Sequence, residues 1–159
     1  MSECQSATIV ASSAASADPG RVISIARDWL GTPYHHQASL RGIGCDCIGL
    51  IRGVWRDLHG PEPEAVPGYS GLWAEVGGQE RLIEAARRHL IEADFNAGPL
   101  PGDVVLFRYR ADVIAKHAAI ISDDGRMIHA YEARGVVETA LGPWWRRRIA
   151  ARFRYPETI

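Results

Sequence analysis

Cysteine is scarce in this chain: three residues in 159, too few and too odd in number for a disulfide scaffold. Excess charge is missing as well. Eighteen Lys and Arg against 19 Asp and Glu leave a net charge of −1, which argues against a dedicated nucleic-acid binder. No window approaches the roughly 20 apolar residues of a membrane span, so none is expected. Residues 1–18 lack the basic region and long apolar stretch of a secretory leader. Their Ala/Ser-rich makeup predicts a flexible N-terminal tail. Phosphate-loop and dinucleotide fingerprints are absent, since Gly42-Ile43-Gly44 is not followed by the third glycine and acidic residue. Lysine is nearly missing: 17 of 18 basic residues are arginine, so composition alone produces arginine clusters.

What remains is an ordinary globular composition, 47% hydrophobic and 23% charged, at a length that fits one domain over residues 19–159. Asp18-Pro19 reads as a helix start, followed by Val22, Ile25, Ala26, Trp29 and Leu30 at helical spacing and a stop at Gly31. A second helix is expected to open at Asp46, carry Cys47, Ile51, Val54, Trp55 and Leu58 on one face, and end at Gly60-Pro61. Residues 61–78 read as a long Pro/Gly-rich loop and about 79–93 as a third helix. After Pro99 the pattern becomes extended: 103–109, 115–122, 126–131, 135–139 and 145–155 suit strands. The last segment alternates, which puts Arg146, Arg148, Arg152 and Arg154 on one face, either solvated or docking an acidic partner. Helices first and strands afterwards predict an α+β fold, with N-terminal helices on a largely antiparallel sheet of about five strands.

Cys47 falls at the first position of the second helix, behind Asp46 as N-cap. Free N–H groups and the helix dipole there lower a thiol pKa and can hold an oxyanion, while the Asp46 charge partly opposes the shift. Cys45, before the cap, lacks these advantages; packing as small apolar fillers is the alternative for both. A thiol nucleophile needs a base oriented by a third group. His117 and His129 lie on consecutive strands, and the turn decides whether they meet. A two-residue loop at Asp124-Gly125 sets them on opposite faces. A three-residue loop over 123–125 pairs Ala119 with His129 and makes the histidines diagonal neighbours on one face. A metal site built from Cys45, Cys47 and His35 or His36 lacks the usual ligand spacing, so no metal or other cofactor is expected.

Five segments then occur in order: Gly31-Thr32-Pro33-Tyr34, Asp46-Cys47-Ile48-Gly49-Leu50, residues 101–107 (PGDVVLF), His117-Ala118-Ala119-Ile120 and Ile128-His129-Ala130. The series resembles the NlpC-type cell-wall peptidases, papain-like thiol enzymes that cut peptide stems of peptidoglycan, over roughly residues 21–155. The stretches 36–60, 85–90, 116–120, 127–130 and 141–156 are similar to the branch encoded by tailed phages and gene transfer agents. The resemblance implies Cys47 as nucleophile, His117 as general base and His129 as its orienting residue, with Tyr34 beside the nucleophile and Asp46 in support. It implies a peptidoglycan peptide as substrate, phage-like tail or hub proteins as partners, and a place in a virion or gene-transfer-agent tail after synthesis in the cytoplasm. A catalytically inactive tail component of the same fold, or a thiol enzyme on another amide or acyl substrate, are the competing readings. Two positions depart from the family pattern: Ile48 stands for its usual serine and Gln37-Ala38 for Gly-Gly. The usual preference for a γ-D-glutamyl bond to diaminopimelate is therefore left open.

Overall fold

The computed structural model describes residues 15–64 and 80–157. Residues 1–14, Cys4 among them, and 65–78 of the expected loop lie outside the described residues.

Helix α1 spans Pro19–Arg27. Asp18 caps it, accepting the Arg21 N–H at 3.1 Å, and Pro19 takes the first helical position as expected. Trp29 and Leu30 follow in a tighter turn, their N–H groups bonding three residues back, before Gly31 turns the chain at φ +84°. A two-stranded hairpin, β1 (Ser39–Leu40) and β2 (Gly44–Cys45), leads into α2, Cys47–His59. Here Asp46 caps, and Gly60 at φ +89° ends the helix. A Cβ on Gly53 would sit 2.1 Å from the Trp29 indole, so glycine is what lets α2 close on α1.

Helix α3 runs over Arg81–His89 and buries Leu82, Ile83 and Ala86. It is shorter than the expected 79–93, because the chain then joins a sheet as β3, Ile91–Glu92. The other strands are β4 (Val104–Phe107), β5 (His117–Ile121), β6 (Arg126–Tyr131), β7 (Gly135–Ala140) and β8 (Ile149–Arg154). Among the described residues they form one antiparallel sheet of six strands, in the order β3-β8-β4-β5-β6-β7. The α+β architecture is the expected one; β3, read as helix from the sequence, supplies the strand beyond five.

The pleat sorts the sheet's side chains into two clusters. Val104, Leu106, Ala118, Ile120, Ile128 and Phe153 pack with Val22, Ala26, Leu50 and Val54 of the helices. Val105, Phe107, Ala119, Ile121 and Met127 pack on the other side with Leu141, Trp145 and Ile149. His117 and His129 share the parity of this second, smaller cluster.

Two expectations need correction. The last strand does not start at Trp145: Gly142-Pro143 opens a short helix α4, Pro143–Arg146, with Arg146 and Arg147 N–H groups bonded four residues back. The four arginines therefore do not share a solvated or docking face. Arg148 lies 3.7 Å over the Trp144 ring. Arg152 is buried, holding Asp103 through Nη2 at 2.7 Å and Nε at 2.8 Å, and Arg154 reaches the same carboxylate at 3.3 Å. The expected tail over 1–18 is likewise tied down at its end. Ala17 N–H donates to Tyr155 O at 2.8 Å and Glu157 N–H to Ala15 O at 2.9 Å. No helix among the described residues is long and apolar enough to cross a membrane.

Candidate active site

Asp46 is the residue around which the site is built. Its Oδ1 accepts the Gly49 N–H at 2.7 Å, starting α2, and its Oδ2 accepts the Gln37 N–H at 2.8 Å, fixing the loop ahead of β1. Both contacts are made by a carboxylate only 2% exposed, so one side chain sets the helix start and the wall beside it. Cys47 follows at the first helical position, as the sequence predicts. Its Sγ donates to the Lys116 carbonyl at 3.7 Å, one residue before His117.

Cys45 faces the main core and is fully buried. Its backbone N–H bonds to Pro33 O at 3.0 Å and its carbonyl accepts from His35 at 3.1 Å. These bonds bridge Cys45 to Tyr34 and hold the tyrosine beside the cavity. Both cysteines are free.

The histidines meet. Ile120 lies opposite Ile128 and Ile121 opposite Met127, the register of the three-residue loop. In the turn itself Asp124 and Gly125 both have positive φ, 55° and 68°, and Arg126 N–H bonds to Asp123 O at 3.2 Å. Positive φ at both centres is the requirement of a type I′ turn, with Asp123 as the extra residue. His117 Nε2 and His129 Nδ1 are 2.8 Å apart, and His129 Nε2 is 3.1 Å from Thr139 Oγ1 on β7. Trp145 packs against both rings, with centroids at 5.4 and 5.5 Å.

Cys47 and His117 open on one cavity of about 860 Å³, walled by the rings of Tyr34, Tyr109 and Tyr131. His36, Lys116 and Glu132 bring ionisable groups to its lining. Among the described residues no group of three or more His, Cys, Asp and Glu is placed to hold a metal ion.

Burial dominates the titration of the site. It pushes the Cys47 thiol up to about 12, the Asp46 charge adds to this, and backbone N–H groups of Ala118, Ile48 and Cys47 act against it. The expected lowering at the helix N-terminus is thus outweighed, because desolvating a thiolate costs more than the helix-end groups return. Burial, with His129 as neighbour, lowers His117 to about 3; burial lowers His129 to about 4. Near neutral pH the resting site therefore holds a thiol and two uncharged imidazoles. Burial first, then Cys47 and Asp46, raises Tyr34 to about 12, so its phenol keeps its proton.

Sequence reasoning singled out Cys47, His117, His129, Tyr34 and Asp46, and all five come together here. It missed Thr139, Tyr109 and Trp145. The first two carried no motif, and Trp145 was read as part of a strand; the Gly142-Pro143 pair was the signal that could have placed it.

The family model described as NlpC/P60 family matches residues 31–154. A probable endopeptidase NlpC of Escherichia coli (strain K12) is 26% identical over 124 residues, 77% of this chain and 69% of that protein. Among solved structures, an NlpC/P60 family protein from Bacillus cereus ATCC 10987 superposes with a TM-score of 0.62 at 23% identity. The match covers 90% of this chain but only 42% of that one, so the chain spans less than half the length of that relative. The NlpC/p60 domain of peptidoglycan hydrolase SagA superposes with a TM-score of 0.55 at 20% identity, covering 86% of this chain and 97% of that one. At these identities the two structures speak for the fold alone.

Proposed function

The chain belongs to the NlpC/P60 family, and from that premise we propose that it is a cysteine endopeptidase hydrolysing amide bonds in peptidoglycan stem peptides. The observation that carries the reading is a helix-start thiol, Cys47, opening with His117 on one cavity, while His129 holds His117 from behind through a 2.8 Å hydrogen bond. The name of the curated relative, a probable endopeptidase, supports the reaction class.

In this mechanism the resting thiol is not pre-ionised. Cys47 Sγ attacks the substrate carbonyl as its proton passes to His117, a general-base route suited to a site that disfavours separated charge. His117 Nε2 is engaged by His129, so Nδ1 is the nitrogen that takes the proton. The backbone N–H of Cys47 and the protonated Tyr34 phenol are the donors for the developing oxyanion. The imidazolium returns its proton to the leaving amine, and water, deprotonated by the same histidine, releases the acyl group and regenerates the thiol.

The finer part of the proposal is a phage-like tail as the carrier, in a virion or gene-transfer-agent particle. Its support is the similarity of residues 36–60 and 141–156 to that branch; proteomic analysis of purified particles tests it. For the activity, zymography on purified peptidoglycan is expected to show clearing by the native protein and by Cys45→Ala, and none by Cys47→Ala. Clearing by Cys47→Ala overturns the assignment, and loss only in Cys45→Ala reverses the roles of the two cysteines.

A further inference from the structure

The proposed peptidase mechanism ends its polar chain at His129, but the hydrogen bonds continue one residue further. His129 Nε2 lies 3.1 Å from the Thr139 hydroxyl, on the strand paired to its own. That contact has a consequence for where protons sit. An uncharged imidazole carries one proton on two nitrogens, and the hydrogen bond at one nitrogen selects the state of the other.

Two arrangements satisfy the 2.8 Å contact between His117 Nε2 and His129 Nδ1. In the first, both histidines carry their proton on Nε2. His117 then donates to His129 Nδ1, His129 donates to Thr139 Oγ1, and His117 Nδ1 is left bare. In the second, both carry it on Nδ1. His129 then donates to His117 Nε2, and the Thr139 hydroxyl donates to His129 Nε2. His117 Nδ1 now holds a proton and cannot take another from the thiol. Only the first arrangement gives a base, and it needs an acceptor at His129 Nε2.

We propose that Thr139 is a positioning residue: its hydroxyl supplies the acceptor at His129 Nε2 without which the tautomer that leaves His117 Nδ1 free to take the Cys47 proton would carry an unmet N–H. The inference rests on the peptidase reading for its catalytic meaning, but the tautomer is a property of the resting protein. Proton flow balances in this scheme. The thiol proton moves to His117 Nδ1 as the sulfur–carbon bond forms, His129 stays neutral throughout, and the proton leaves on the departing amine. Threonine fits the position because a hydroxyl accepts one hydrogen bond while turning its own proton elsewhere.

Thr139→Val is isosteric and keeps the β-branched shape on β7, while removing the acceptor; Thr139→Ser restores a hydroxyl. Two readouts on the full-length protein decide the matter. Ring ¹⁵N NMR is expected to show both wild-type histidines protonated at Nε2, with a proton shifted to Nδ1 of His117 in Thr139→Val. With peptidoglycan fragments, Thr139→Val is expected to lose about tenfold or more in kcat with KM little changed, as for a lost part-buried hydrogen bond, and Thr139→Ser to recover it. A wild-type His117 protonated at Nδ1, or a valine variant with unchanged tautomers and kcat, overturns the proposal. Failure of the peptidase reading looks different: Cys47→Ala would then behave as wild type toward peptidoglycan, whatever the NMR shows.

Discussion

At the scale of single residues, the site is governed by burial. Cys47, His117 and His129 are all held in their uncharged forms by the loss of water around them. This has a thermodynamic signature. Folded His117 and His129 titrate near 3 and 4, against about 6.5 when unfolded, so between those values the unfolded chain binds more protons. Stability is therefore full above about pH 6.5 and falls as pH drops toward 4, at up to about 1.4 kcal/mol per pH unit for each imidazole. Urea denaturation between pH 7 and pH 4.5 checks this, and the double variant His117→Gln/His129→Gln is expected to flatten the slope. The side chains of the candidate site were legible in the sequence because their types and spacing are unusual: a cysteine directly after an N-cap, two histidines on neighbouring strands. Their proton states were not. Pattern reading credited the helix N-terminus with lowering the thiol pKa, whereas the depth of Cys47 is a tertiary property that no local window contains. Thr139 was invisible for the same reason, since its partner His129 is ten residues away and reached only across a strand pair.

At the scale of elements, close approach and one buried ion pair hold the scaffold in place. The α1–α2 contact rests on Gly53 against Trp29, where a methyl group would overlap the indole. Gly53→Ala is expected to lower stability by about 1–3 kcal/mol, the range for overpacking, although alanine favours the helix itself; thermal unfolding measures the sum. The Arg152–Asp103 pair joins β8 to the start of β4 with both side chains about 1% exposed. Arg152→Met is expected to cost up to about 3–5 kcal/mol by removing the buried cation from Asp103 and leaving it to the half-exposed Arg154 at 3.3 Å, and adding Asp103→Asn to recover part of it. Denaturant midpoints of the two singles and the double decide. The helices were readable from caps and periodicity, Asp18-Pro19 and Asp46 above all. The C-terminal segment was not: its alternation of aromatic and basic residues fits a strand by period, yet Pro143 starts a helical turn and shifts the strand to Ile149–Arg154. Arg152 then turns inward to Asp103, which an exposed-face reading of arginine could not anticipate.

At the scale of the molecule, the described chain closes on itself. Residues 15–17 pair with 155–157, beside the strand that carries Arg152, so the start of the described chain buttresses the sheet's last strand. Removing residues 1–17 is expected to cost about 1–3 kcal/mol more than removing 1–14, from two lost backbone hydrogen bonds, as read by denaturant titration. The α+β architecture was legible because helices precede strands along the sequence. The sixth strand was not, since β3 is two residues long and exists only by pairing with β8. This scaffold brings the N-terminus of α2 to the start of β5, the junction where the proposed chemistry takes place. Its most direct test is product analysis by mass spectrometry after digestion of peptidoglycan fragments in ¹⁸O-water. One new free amine and one ¹⁸O-labelled carboxylate per cleavage within the stem peptide are expected, and no products with Cys47→Ala. Cleavage of the glycan strand in place of the peptide, or labelled carboxylate formed by Cys47→Ala, would contradict it.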